Sequence, residues 1–287
     1  MKKIQVGFLV SYDYQKLKKS LPPIYKDADE IFLALDFKLR TWTGNTFTID
    51  DSFFSWIDEI DVDKKIKFYR DDFYVPELSP IDNDTRERKM LGEKMGIGNW
   101  IIQIDSDEIF IDFKDFVSKI RKYDHYLDLP INKKVQFAAF HINAYKFLEQ
   151  GLLFVEDATK FYVATNFPNY QCAKNTRSQV IYIDSYVLHE GLARTEEELR
   201  YKLANWGHKD EINATFLDKW LSANETNYKE VKDVFYLNPT TWKSLGYFPS
   251  TDIEKIKQYS RGSLAFKKSK FWLFKKNFGQ WFKHLFK

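Results

Sequence analysis

Apolar residues in this chain gather into short runs that end on acids or turn residues. Ile4-Gln-Val-Gly-Phe-Leu-Val-Ser11 is nearly continuous in apolar character, as a strand covered on both faces is, and Tyr12 to Leu21 follows with helix-compatible spacing up to Pro22-Pro23. Glu30-Ile-Phe-Leu-Ala-Leu-Asp36 repeats the device, with an acid at its C-terminal end. Asp51 to Ile60 has helical spacing, and Ile66-Lys-Phe-Tyr69 reads as a short strand. Asp84-Thr-Arg-Glu87 reads as a capping box opening a helix that puts Met90, Leu91 and Met95 on one face. Trp100-Ile-Ile-Gln-Ile-Asp105 is a fourth strand, and it runs straight into Asp107 and Glu108.

Four strands separated by helical spacing within the first 105 residues predict βαβ units. Right-handed crossovers turn such units into a largely parallel sheet with helices on both faces. Ligands of these sheets bind beyond the C-terminal strand ends, so Ser11, Asp36 and Asp105 are expected to converge there.

Past Asp112 the pattern changes. Phe113 to Tyr123 suits a helix, and Val135 to Tyr145 and Gln179 to Asp184 suit strands that extend the first sheet in antiparallel fashion. Lys146 to Arg177 is aromatic and lacks clear periodicity, the character of a binding loop or lid, and the acceptor side of a site is expected there. In Leu188 to His208, Thr195 and Glu198 form a capping box, Leu199, Leu203 and Trp206 share a helix face, and Gly207 is a stop. His189 and His208 bracket that helix. The expected organisation is one α/β catalytic domain over 1–250, with a first half of about 1–112 and a second of about 113–250, then a tail over 251–287.

The tail has its own pattern. Phe271, Phe274, Phe278, Trp281, Phe282 and Leu285 recur on one helical face, and Lys275, Lys276, Gln280, Lys283 and His284 occupy the other. Such a helix suits an anionic membrane surface. Charge sharpens the division: ten of the 44 basic residues and none of the 41 acidic ones lie after Glu254, which leaves 34 basic against 41 acidic before it, a net of −7. An acidic body argues against nucleic acid as a partner.

Composition narrows the class further. Aromatics make up 18% of the 287 residues, and the single cysteine, Cys172, excludes an intramolecular disulfide framework and a cysteine-based zinc finger. After Met1-Lys2-Lys3 the apolar run is too short for a secretory signal, and no window approaches a membrane span, so the expected location is cytoplasmic, peripheral on the inner face of the membrane.

Acids crowded at the end of a buried strand need neutralising. A divalent cation does this economically, and Mg²⁺ or Mn²⁺ favours one or two protein carboxylates with phosphate oxygens and water completing the shell. The pattern therefore predicts a metal and a phosphorylated substrate. Gly92, Gly96 and Gly98 do not form a dinucleotide-binding fingerprint, and neither a P-loop nor a G-x-S-x-G elbow is present.

Taken in order, these features resemble a GT-A glycosyltransferase of the bacterial family 2 type: the strand ending near Ser11 and Tyr12, the strand ending in Asp36, the Arg-bearing helix, and Ile104-Asp-Ser-Asp-Glu-Ile109 as a D-x-D motif. His189 to Gly191, Glu198, Lys202 and Trp206 to His208 add to the likeness, which spans roughly Ile4 to Asp210. The resemblance implies a metal-dependent transfer of sugar from a nucleotide-sugar, a UDP-sugar by preference, to a hydroxyl of a glycan or lipid-linked acceptor. It implies that Asp36 meets the base, Arg88 the diphosphate or base, and Asp105 the ribose or sugar. Asp107 and His189, with Asp105 beside them, would hold Mn²⁺ or Mg²⁺, and Lys202 would neutralise the leaving diphosphate. Inversion needs a carboxylate to deprotonate the acceptor hydroxyl; Glu156, Asp157, Glu190 and Asp210 are eligible, and Glu156 or Asp157 is expected because they lie in the acceptor region. The rival readings are a nucleotidyltransferase and a non-enzymatic peripheral membrane protein.

Overall fold

A computed structural model describes residues 2–263 and 265–281. Ten strands among them form one mixed sheet. They are β1 (Ile4–Leu9), β2 (Glu30–Asp36), β3 (Ile66–Asp71), β4 (Trp100–Asp105), β5 (Glu108–Phe110), β6 (Val135–Phe147), β7 (Leu152–Val155), β8 (Thr159–Thr165), β9 (Gln179–His189) and β10 (Leu245–Phe248). The spatial order is β10-β7-β6-β8-β4-β1-β2-β3, with β9 pairing β5 and β6 off that path. β1 is parallel to both β2 and β4, and β2 to β3, whereas β4 meets β8 antiparallel. The first 105 residues thus build the parallel core that their pattern predicts, but the two strands expected to extend it in antiparallel fashion, β6 and β9, pair parallel to each other; the antiparallel ladders come from β8 against β4 and β6, β7 against β6 and β10, and β5 against β9.

The helices are α1 (Leu17–Ser20), α2 (Pro22–Tyr25), α3 (Asp51–Ile60), α4 (Pro80–Met95), α5 (Phe113–Arg121), α6 (Glu196–Asn205), α7 (Phe216–Ser222), α8 (Ile253–Gly262) and α9 (Lys270–Trp281). Ile4, Val6 and Phe8 of β1 join a core with Leu17, Leu21, Ile24, Phe53, Ile57 and Phe116, so α1, α2, α3 and α5 cover one face. Each fully buried side chain of this kind contributes about 1.5–3 kcal/mol. Leu9, Phe32 and Ile101 face the other way, onto Leu91 and Met95 of α4. Gly7 permits that contact: a Cβ there would lie 2.8 Å from Leu91 Cδ2 and 3.0 Å from Met95 Sδ.

Three local expectations change. The stretch after β1 is a 3₁₀ turn over Tyr14–Lys16, then α1, and Pro22 opens α2 because its missing N–H costs nothing in a first turn. α4 starts before the capping box expected at Asp84 to Glu87, since the Ser79 hydroxyl accepts from the Asp82 N–H and Pro80 suits the first turn. Asp84, Glu87 and Arg88 are therefore buried inside the helix. The stretch expected to be irregular, Lys146 to Arg177, contains β7 and β8, both antiparallel to β6.

α6 carries the predicted capping box, with Thr195 and Glu198 exchanging backbone bonds. α9 packs against β9. Of the residues expected on its two faces, Phe282, Lys283, His284 and Leu285 lie outside the described residues. No described helix is long and apolar enough to cross a membrane.

Candidate active site

The strand register brings the sequence-distant acids to one edge. Leu9 pairs with Ala34 on one side and Asp105 on the other, so Ser11, Asp36 and Asp105 leave the sheet at nearly the same level. Beyond that edge lie two adjoining cavities. The smaller, about 70 Å³, is lined by Ser11, Tyr12, Asp36, Glu87 and Asp107 among others. The larger, about 400 Å³, is lined by Arg88, Glu108, His141, Lys174, His189 and Trp242 among others. Trp42, Asp105, Lys202 and Trp206 line both.

Asp107 is the buried centre of the arrangement. Its Oδ2 accepts from Lys202 Nζ at 2.8 Å and Arg194 Nη2 at 2.6 Å. Burial alone would raise its pKa, but the charges of Lys202 and Arg194 outweigh that and hold it well below the usual carboxylate range. Arg194 reaches at the same time to Asp13 Oδ2 at 2.7 Å, and Ser106 donates to the other Asp13 oxygen at 2.9 Å.

His189 comes to this centre through the β9 register, where it pairs with Glu108 on β5 and Asn143 on β6. Burial, reinforced by neighbouring His141, pushes its pKa down to about 4, so the imidazole is neutral at pH 7. Asn143 Nδ2 donates to Thr159 Oγ1 at 2.9 Å, which turns Oδ1 towards His189 Nδ1 at 3.3 Å. With the proton on Nδ1, the Nε2 lone pair would face Asp107 Oδ1, which lies 3.7 Å away.

The other two acids of the motif are neutralised from within the chain. Asp105 takes Arg88 Nη2 at 2.8 Å and Lys174 Nζ at 3.2 Å. Glu108 takes Lys174 at 2.5 Å and a bond from the Asp105 N–H at 2.9 Å, and His141 Nε2 stands 3.0 Å from it without hydrogen-bond alignment. Although burial works against ionisation, Lys174 and His141 keep Glu108 charged far below its ordinary pKa. Arg88 also grips Asp84 at 2.6 Å, yet its Nη1 is buried with no hydrogen-bond partner among the described residues. An orphaned buried guanidinium donor beside a cavity is a ready contact for an anion.

The donor set suits a divalent cation in part. No three described His, Cys, Asp or Glu side chains converge on one point as metal ligands. Asp107 Oδ1 and His189 Nε2 nonetheless form a two-ligand edge of the kind that a cation shares with phosphate oxygens. Asp105, expected as a further ligand, has its oxygens committed to Arg88 and Lys174.

Other expected residues are placed as follows. Ser11 and Tyr12 line the smaller cavity, with the Tyr12 ring edge-on to Tyr201 at 4.9 Å. Asp36 lines it too, but its two oxygens accept from Lys38 N, Arg40 N, Arg40 Nε, Arg40 Nη2, Phe73 N and Tyr74 N. That fills its lone pairs, so Asp36 clasps the loop after β2 and a nucleotide base would have to displace Arg40. Thr41, Thr43 and Asn45 of that loop all donate to Asn205 Oδ1 at 2.9–3.1 Å, which ties the cavity wall to α6.

The expected bases do not reach the site. Glu156 and Asp157 line neither of these cavities, because β7 lies towards the far edge of the sheet with β10, and Glu156 N bonds there to Ser244 O. Asp157 is 65% exposed and pairs with Lys268 at 2.8 Å. Glu190 is buried against Lys16 and Lys19, and Asp210 is exposed. The acids that line the larger cavity are Asp84, Asp105 and Glu108. Sequence reading missed Arg194 and Lys174 altogether. Arg194 directly precedes the capping box, and Lys174 sits in the aperiodic stretch, where neither charge differs in pattern from a solvated one.

No known family model matches the chain, and no curated protein matches it either. Among solved structures, S. aureus TarS (residues 1–349) aligns with a TM-score of 0.29 and 13% identity over 53% of this chain; the match spans 38% of the TarS chain. Mannose-6-phosphate isomerase from Helicobacter pylori aligns with a TM-score of 0.32 and 13% identity over 77% of this chain and 79% of that one. Likenesses this slight leave the function to be argued from the site.

Proposed function

We propose that this chain is a GT-A-like glycosyltransferase that moves a sugar from a nucleotide-sugar, with UDP-sugars the first to test, to a hydroxyl of a glycan or lipid-linked acceptor. The observation that carries the reading is the Asp107 carboxylate. One oxygen is held by Lys202 and Arg194, and the other faces His189 Nε2, beside the smaller cavity at the C-terminal edge of a parallel core. Asp107 and His189 would hold Mn²⁺ or Mg²⁺, which supplies positive charge against a departing diphosphate.

The chain's own residues complete the environment. Lys202 is anchored on Asp107 and lines both cavities, so its ammonium meets phosphate oxygens without reorganising. Arg88 offers its free Nη1 from the larger cavity. Asp105 is one-third exposed where the cavities adjoin, and the lone pairs left beside its bonds to Arg88 and Lys174 are available to sugar hydroxyls. Trp42 and Trp206 supply apolar faces on the shared wall, suited to a sugar ring.

Calorimetric titration of UDP- and GDP-sugars with Mn²⁺ tests the proposal. Binding that weakens by tenfold or more in Asp107→Ala is expected, at about 1.4 kcal/mol per decade. If neither donor class binds, or Asp107→Ala binds equally well, the reading fails. Release of pyrophosphate from a nucleoside triphosphate, rather than of a nucleoside diphosphate from the sugar donor, would assign a nucleotidyltransferase instead.

A further inference from the structure

α9 is apolar on both sides. Its docked side consists of Trp272, Leu273 and Asn277. Trp272 stands edge-on to Tyr182 at 5.8 Å and to Phe140 at 5.7 Å, and Lys276 lies over the Trp272 ring at 5.4 Å. Asn277 completes the attachment, accepting from Tyr182 N at 2.7 Å and donating to Tyr182 O at 3.0 Å. The phenylalanines face outward. Phe271 is 74% exposed, Phe274 63% and Phe278 45%, with Phe274 and Phe278 stacked at 5.8 Å.

A helix that needed only the protein's own core would turn those rings inward. Holding Phe271 and Phe274 largely in solvent costs free energy that an external apolar phase would recover. Charge identifies the phase. Exposed Lys270 and Lys275 flank the aromatic stripe, and the tail carries ten basic residues with no acid. A second copy would bring like charge against like charge. A layer of anionic headgroups over hydrocarbon matches both features.

We infer that the outward face of α9, centred on Phe271, Phe274 and Phe278, binds the surface of an anionic lipid bilayer. The inference is independent of the transfer reaction proposed above. The full chain is tested by co-sedimentation with vesicles of phosphatidylcholine alone and of phosphatidylcholine with about a third phosphatidylglycerol, a composition that adds a surface potential to the same hydrocarbon.

Pelleting with the anionic vesicles, weakening as salt is raised, is expected. The triple variant Phe271→Ser/Phe274→Ser/Phe278→Ser should lose about tenfold or more in partitioning, with an unchanged circular-dichroism spectrum because these rings are exposed. Lys270→Glu/Lys275→Glu, which leaves the aromatic face intact, should lose the preference for anionic vesicles. Failure of the parent chain to pellet with either vesicle overturns the inference, and so does a triple variant that pellets like the parent. A concentration-dependent dimer abolished by the triple variant, with no vesicle binding, would assign the face to a second copy and overturn it too.

Discussion

The Nδ1 of His189 lies 3.3 Å from Oδ1 of Asn143, and this contact orients the imidazole whose Nε2 confronts Asp107. In the proposed reaction Asn143 acts by orienting a residue that would hold the metal. Asn143→Ala should therefore weaken Mn²⁺ binding in the presence of UDP by about tenfold, the lower end of what supporting groups around a metal contribute. Electron paramagnetic resonance of free Mn²⁺ measures this directly. Unchanged affinity would mean that His189 does not bind the ion.

Glu87 gives a pH signature. Burial, reinforced by Asp84, raises its pKa to about 8 although Trp42 Nε1 donates to it at 2.6 Å. The folded state then holds a proton that the unfolded chain releases near 4.5. Stability from this group is complete below about pH 4.5 and is lost as pH rises through 8. In Glu87→Gln that loss should vanish. Urea denaturation of the two proteins at pH 5 and pH 9 should show the parent losing more stability on alkalinisation, by a few kcal/mol, since each pH step of one between the unfolded and folded titrations is worth ~1.4 kcal/mol. Parallel pH profiles would refute it.

Asn205 is the single acceptor for three donors of the loop after β2. Asn205→Leu keeps the volume and removes the acceptor, so hydrogen exchange across residues 41–45 should accelerate. Donor-nucleotide affinity should fall by about tenfold, since a wall of the smaller cavity is no longer held in place. Exchange rates identical to the parent would show that the loop is held by other means.

Gly92 on α4 lies beneath the segment that leads to Lys174. A Cβ there would come within 2.5 Å of Pro168 Cβ and 3.0 Å of Tyr170. Gly92→Ala should destabilise the fold by about 1–3 kcal/mol, despite alanine's better helix propensity. Chemical denaturation distinguishes this from the small gain that an uncrowded helical glycine would give.

Legibility in the sequence followed the range of the interactions involved. β2, β4 and α3 match their predicted bounds because uninterrupted apolar runs, and an Asp50 cap for α3, act locally. The convergence of Ser11, Asp36 and Asp105 was also readable, since parallel register follows from βαβ order. β7 and β8 were not, being short strands whose aromatic content blurs the alternation. The acids were legible as a charge problem, but their solution was not: Arg88, Lys174, Arg194 and Lys202 arrive from four separate segments. Nothing near Asp105 announces them. Glu156 and Asp157 were placed on the acceptor side by a loop assignment that β7 and β10 replace with a sheet edge.

The bond pair between Asn277 and Tyr182 makes the tail a ruler rather than a tether. Tyr182 and His189 belong to one strand, and across its bulge their β6 partners, Ala138 and Asn143, stand only five residues apart, which at about 3.3 Å each sets the two roughly 17 Å apart. Because α9 is fastened to that strand, anything gripped by its outer face would meet the sheet at one height and one angle. A flexible leash would let the cleft sample many depths. On the proposed membrane and transfer readings, a rigid offset would select acceptors by how far their reactive hydroxyl stands from the bilayer plane, and shortening or lengthening an acceptor's stem would then alter turnover without altering any contact in the cleft.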